Sequence, residues 1–277
     1  MHEGPNSSRD TGNPVGTPRR ANTVSFSVKD KVTLARMREK KSSIAMIAGI
    51  LFPGLCFAQS IPTVSNAPGE MRNFTGPGSP ILSVGQCKFS INIQAGQRAI
   101  FNGPDLVLYY SKTRQDQMPY LLQAETNFGY AWSFKKKGSR RDKWVGVMCE
   151  NMEDFSKITV ANEISKKDHS PALDEIRQSN DMKCPATLEA GKWTPHPILK
   201  KGEDYLFSAI SGDGWTGFLI GYWASKERGE LTSVRFCMIN ENHVLVGAAE
   251  DDDRPLALPI HFFDELGRSL STIQFPK

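Results

Sequence analysis

Neither HExxH nor GxSxG occurs in this chain, and no cysteine has the CxxC or CxxH spacing of a zinc site. The metal-dependent and serine hydrolases that carry local signatures therefore have no foothold in it. Long apolar runs are missing too. The longest, IAMIAGILFPGLCFA from Ile44 to Ala58, is about fifteen residues, short of the roughly 20 that span a bilayer. Charge of one sign is also scarce where it would matter. The 277 residues carry a formal net charge of +4, but residues 1–58 hold nine Lys/Arg against four Asp/Glu and leave 25 against 26 for the remainder. The basic balance belongs to the N-terminal segment, which argues against nucleic acid as a partner.

That N-terminal segment has the order of an export signal. Met37, Arg38, Lys40 and Lys41 form a positive start, the apolar run follows at once, and Pro53 and Gly54 break it near its end. Cys56 and Ala58 stand at the −3 and −1 positions, so cleavage falls between Ala58 and Gln59. Lipidation would need a small residue before the cysteine, where Leu55 stands. Residues 1–36 are polar, rich in Asn, Ser, Thr, Gly and Pro, and read as a disordered leader or a misassigned start. Residues 37–58 are the signal peptide, and 59–80 are a loop-like arm punctuated by Pro62, Pro68, Gly69, Gly76, Pro77, Gly78 and Pro80. The expected location is periplasmic or secreted, with no membrane span in the mature chain. Asn73, Phe74 and Thr75 also form a glycosylation acceptor, as a secreted eukaryotic protein would use.

Four cysteines remain beyond the signal, Cys87, Cys149, Cys184 and Cys237. An oxidising compartment would pair them, and four cysteines allow three connectivities. An internal similarity bears on the choice. INIQAGQ follows Cys87 and ATLEAGK follows Cys184; YLLQA at Tyr120 matches YLFSA at Tyr205. Each half then has an aromatic strand, a charged loop and a strand ending in cysteine. If the halves are duplicates, the bridges are Cys87 to Cys149 and Cys184 to Cys237, each worth about 4 kcal/mol on the chain-entropy account.

The fold expected is mainly β, disulfide-braced, with two β-rich modules of short antiparallel strands at 81–165 and 184–277, joined by a helical linker at 166–183. Strands are expected at 88–94, 106–111, 120–125, 128–134, 144–149, 158–162, 205–210, 216–224, 233–239, 244–249, 257–263 and 270–275. One helix is signalled by Ser170 as cap, Pro171 at its first position and Asp174 and Glu175 in its first turn. Leu173 and Ile176 supply its apolar face, and it ends near Asn180.

Several constellations could carry function. Lys135, Lys136, Lys137, Arg140, Arg141 and Lys143 crowd one hairpin loop, where they would meet an acidic partner or simply be solvated. Phe128, Tyr130, Trp132 and Phe134 share one face of a strand, either as a sugar-stacking row or as core. Phe218, Ile220 and Tyr222 alternate with Leu219 and Trp223 in a strand that reads as central and buried. Glu250 to Asp253 lacks the alternation of a calcium loop and reads as a solvated turn. His169, His196, His243 and His261 have no metal spacing, so no metal, cofactor or catalytic residue is assigned.

The reading is an exported, non-enzymatic protein that captures or neutralises another protein, as inhibitors and toxin-immunity proteins do. The alternative is a secreted cell-wall hydrolase or carbohydrate-binding module that uses the aromatic strand face. Intact-mass analysis of native material should find a chain beginning at Gln59 with four cysteines that resist alkylation until reduced. A chain still carrying its leader, or four reactive thiols, would remove the basis for export.

Overall fold

Short apolar runs bounded by Gly, Asn and Asp recur along the chain beyond residue 80. In the computed structural model they form strands over most of the described residues, which are 61–102, 105–110, 119–126, 129–135, 139–158, 170–196, 205–224, 229–251 and 254–276. Residues 1–60, which include the expected leader, signal peptide and cleavage point, lie outside them.

The largest sheet is antiparallel throughout. In spatial order it runs β12 (Tyr205–Gly212), β13 (Trp215–Trp223), β14 (Glu230–Asn240), β15 (His243–Ala249), β9 (Trp144–Asn151), β6 (Asp105–Tyr109), β5 (Arg98–Asn102) and β2 (Asn73–Thr75). A two-residue strand, β16 (Leu258–Pro259), also pairs with β14. Three smaller sheets accompany it: β1 (Thr63–Ser65) with β3 (Ile81–Val84) and β4 (Cys87–Ser90); β7 (Tyr120–Thr126) with β8 (Gly129–Lys135); and β10 (Ala186–Glu189) with β11 (Lys192–Pro195). Helix α1 spans Pro171–Lys183 and helix α2 His261–Leu270.

Because strand side chains alternate between faces, the registers divide the large sheet into two sides. Trp215, Leu219, Phe236, Gly247, Val147 and Leu106 fall on one; Phe218, Arg235, Cys237, Ala248, Glu250 and Val107 fall on the other. Helix α2 covers the first side. Tyr110 donates to Ser269 at 3.0 Å, the Tyr110 and Phe262 rings meet edge to face, and the Trp215 indole donates to the Ile273 carbonyl at 3.0 Å. Phe236 lies across Gly247, where a Cβ would come within 1.9 Å of its ring. The second side carries α1 and the β10–β11 hairpin, whose Trp193 packs on Phe218 and donates to Thr216.

A disulfide fixes the covering layer on each side. Cys87 of β4 is bonded to Cys149 of β9, and Cys184, directly after α1, to Cys237 of β14. These are the pairs that a duplication would give. Strand pairing, however, does not confirm the duplication. In the second half the cysteine-bearing strand β14 pairs with the preceding β13, whereas in the first half β9 pairs with β6 and β15 and β7–β8 forms a sheet of its own. The two halves share one sheet through the β9–β15 pairing.

Most expected strands are present, and the differences have physical causes. The stretch 257–263 is not one strand: Leu258 and Pro259 pair with β14, and α2 begins at His261. Phe262, Phe263, Leu266 and Leu270 are buried on one helical face, so the apolar spacing there is helical. The expected strand at 270–275 is the end of that helix and an isolated bridge from Gln274 to Ser90. Of 158–162, Ile158 is described and buried, and the rest lies outside the described residues. Within the loop-like arm, β1 and β2 are three residues each. Helix α1 starts as expected, with the Ser170 hydroxyl accepting from the Leu173 amide, and ends three residues later, at Lys183. Its buried residues are not Leu173 and Ile176 but Arg177, Ser179, Asn180, Asp181 and Lys183. The strand read as central, β13, is buried along its length, with Phe218, Leu219 and Ile220 wholly enclosed.

The Cys184–Cys237 bridge closes a separation of 53 residues and should contribute about 4 kcal/mol. Urea unfolding of a Cys184→Ala, Cys237→Ala double variant should show that loss. A change under about 1 kcal/mol would mean that the bridge does not restrain the unfolded chain as the entropy account requires.

Candidate functional site

Polar side chains collect where α1 meets the sheet. The Glu250 carboxylate is 2% exposed and lies between two cations: Lys183 donates to one oxygen, and Arg235 approaches the other at 2.5–2.6 Å. Arg235 also donates to the Met182 carbonyl at 2.7 Å and lies over the Tyr222 ring. Burial would raise the Glu250 pKa, but the two cations outweigh it and hold the carboxyl below its ordinary value. Both cations sit at the C-terminus of α1, where its exposed carbonyls favour positive charge. Glu250 and Asp251 therefore do not belong to a solvated turn: they are buried, and the Asp251 carboxylate accepts from the Arg254 amide. Asp252 and Asp253 lie outside the described residues.

The rest of the polar face of α1 satisfies the backbone after β9. Asp181 accepts from the Ser156 and Lys157 amides, Arg177 donates to the Glu153 carbonyl, and Asn180 to that of Asp154. Buried polar groups need such partners, so this helix is positioned by hydrogen bonds as much as by apolar contact.

Two further carboxylates share this side of the sheet. Asp105 begins β6 and is buried; Glu150 lies on the neighbouring β9. Continuing the β6–β9 register by one residue sets Asp105 beside Met148, hence diagonal to Glu150 at roughly 7 Å between side-chain bases. Burial pushes Asp105 up to about 6. Burial, with the charges of Asp154 and Asp105, pushes Glu150 up to about 7. The sequence gives no local signal for this pair, because its members are 45 positions apart (150 − 105) and meet only through strand pairing.

The basic loop after β8 is divided. Arg140 holds the Pro255 carbonyl through its side chain, and its own carbonyl accepts from Ala257. Lys143 pairs with Glu265 of α2 at 2.6 Å. Arg141 reaches Glu230 at 3.1 Å while its side chain stays 76% exposed. Lys135 ends β8 opposite Tyr120; its side chain, and Lys136 and Lys137, lie outside the described residues. The aromatic row is placed only by backbone register: Tyr130 opposite Glu125, Trp132 opposite Gln123, Phe134 opposite Leu121. Phe128 and the side chains of this hairpin are likewise outside the described residues.

Other features have ordinary roles. GDGWTG at 212–217 has the spacing of a dinucleotide fingerprint, but it forms the β12–β13 hairpin and not the strand–turn–helix that would cradle a pyrophosphate. His243 contacts Gln86 at 2.9 Å beside an open cleft of 160 Å³, smaller than sites that enclose small molecules. Among the described residues no three His, Cys, Asp or Glu side chains gather closely enough to hold a metal ion. No helix there is long and apolar enough to cross a membrane.

These carboxyls set opposite pH limits. Asp105 and Glu150, with raised pKa values, favour the folded state below the ordinary carboxyl range, and that contribution is lost as pH rises through about 6 and 7. Glu250, held low, stabilises above that range and its contribution is lost as pH falls below it. The melting temperature should peak near about pH 4.5 and fall on either side. Glu150→Gln should flatten the decline between about pH 5 and 7; an unchanged profile would show that Glu150 does not titrate as described.

No protein-family model matches this chain, and no curated protein matches it.

Proposed function

We propose that the chain is an exported, non-enzymatic binding protein that captures an acidic surface of another protein through the loop between β8 and β9. The observation that carries this is the way the loop is held. Arg140 and Lys143 are tied to the second half of the chain, and between them Arg141 keeps 76% of its side chain exposed while meeting Glu230 in a solvent-open ion pair. A basic segment fixed in advance, as residues 140–143 are, loses little conformational entropy on binding, which favours affinity. Two disulfides on opposite sides of the sheet suit an oxidising compartment, and inhibitors and immunity proteins are the class that works this way.

The hydrolase alternative draws support from one feature, the Asp105 and Glu150 pair. A carboxyl protonated near neutrality beside a second carboxyl is what acid–base cleavage of a glycoside uses. In that reading Glu150→Gln abolishes turnover of wall polymer.

The test is capture of partners from periplasmic extract at physiological salt by immobilised protein, with and without Lys136→Glu, Lys137→Glu and Arg141→Glu together. The reversed variant should melt within a degree or two of the parent and lose the captured protein by at least tenfold. Equal recovery by both, or release of sugar from wall polymer that depends on Glu150, would overturn the capture reading.

A further inference from the structure

The two edges of the large sheet are built differently. At one end β2 is three residues long, and a short edge strand offers little for another chain to pair with. At the other end β12 runs for eight residues, YLFSAISG, with no charge, no proline and no bulge in its pairing to β13. These are the devices that normally protect an edge.

The outer side of this strand can be read from its hairpin. Gly212 and Trp215 close a two-residue turn, and a closing pair of this kind exchanges both of its hydrogen bonds. The even-numbered residues Leu206, Ser208, Ile210 and Gly212 therefore bond to β13. The N–H and C=O groups of Tyr205, Phe207, Ala209 and Ser211 point away from the sheet, and no described strand pairs with them. Tyr205, Leu206, Phe207 and Ile210 are half-buried, while Ala209 and Ser211 are exposed.

We infer that this edge pairs with the same edge of a second copy, antiparallel, about a two-fold axis at Ser208. Strand geometry selects that register. Residues facing each other must lie on the same side of the sheet, so their numbers must sum to an even value, and a slip of one residue is excluded. With Ser208 on the axis, residues 205–211 all find partners within the strand. Tyr205 meets Ser211 of the other copy and Phe207 meets Ala209, a large side chain beside a small one in each case. Leu206 meets Ile210 on the opposite side. The outward residues form four hydrogen-bonded pairs, about eight new backbone bonds. A two-fold axis sets every nearby side chain close to its own copy, so a charge here would repel itself. The strand has none. The result is one sheet continuous across two chains, joined at an isologous interface.

This goes beyond partner capture and uses a different part of the molecule, so a monomeric result would leave that reading standing. Sedimentation velocity of the full chain over a hundredfold concentration range should show a monomer–dimer equilibrium. Ser208→Lys, which sets two ammonium groups on the axis, and Ala209→Pro, which removes an outward N–H without touching the bonds to β13, should each give monomer with an unchanged far-ultraviolet spectrum. Ser208→Cys should form a reducible inter-chain disulfide, because facing non-bonded residues approach to about 4.5 Å between Cα atoms. A parent chain that is monomeric throughout, a dimer that survives Ser208→Lys, or a Ser208→Cys variant that fails to cross-link would each overturn the inference.

Discussion

The buried Glu250 carboxylate is the contact on which one side of the molecule depends. Helix α1 turns Arg177, Asn180, Asp181 and Lys183 inward, so apolar burial alone gives it little reason to lie on a sheet. What fixes it is Glu250, joined to Lys183 of the helix and to Arg235 of β14, with the Cys184–Cys237 bond one residue further along. A buried ion pair of this type adds little net stability over a well-packed apolar substitute, yet removing one partner costs several kcal/mol because a buried charge is left without its complement. The network therefore defines where the helix goes more than it stabilises the whole. Through Asn180 and Asp181 the same helix fixes the backbone that follows β9, a segment that carries Asp154, one of the charges that raise Glu150.

On the other side of the sheet the attachment is of a different kind. Helix α2 buries Phe262, Phe263, Leu266 and Leu270, and Gly221 and Gly247 leave room for Phe263 and Phe236 against the strands. Apolar contact carries this layer, and the Cys87–Cys149 bond adds restraint to the β1–β3–β4 sheet beside it. The two bridges are alike in joining a covering element to a strand of the large sheet. They differ in what they supplement: shape-matched packing on one side and a polar network on the other.

How much of this was legible in the sequence follows from the range of each interaction. The strands from β12 to β15 are long, apolar runs bounded by turn residues, and the start of α1 is marked by adjacent residues, Ser170 and Pro171. These signals are local. Helix α2 was obscured because Phe262 and Phe263 are adjacent and continue an apolar run from Leu256, which reads as a strand until Leu266 and Leu270 are counted on the same helical face. Strands β1 and β2 exist by virtue of partners elsewhere in the chain, so no local propensity announces them. Glu250 is the extreme case. In a row of four acidic residues it reads as solvent-facing, and nothing nearby shows that Lys183, 67 positions away, folds onto it. Asp105 and Glu150 are hidden for the same reason. The basic loop, in contrast, was visible as composition, while the division of labour within it was not.

That division follows from exposure. A salt bridge open to solvent contributes at most about 1 kcal/mol, and Arg141 with Glu230 is of that kind, their side chains being 76% and 41% exposed. Exchanging Glu230 for a carboxylate on another protein would cost the fold almost nothing. Lys143 and Glu265 are about a quarter exposed or less, 22% and 25%, and Arg140 is bonded to backbone on both sides, at the Pro255 carbonyl and the Ala257 amide. Giving up either would release the loop from α2 or from the segment before β16. Within four residues the loop thus combines groups that must stay where they are with one that can change partners.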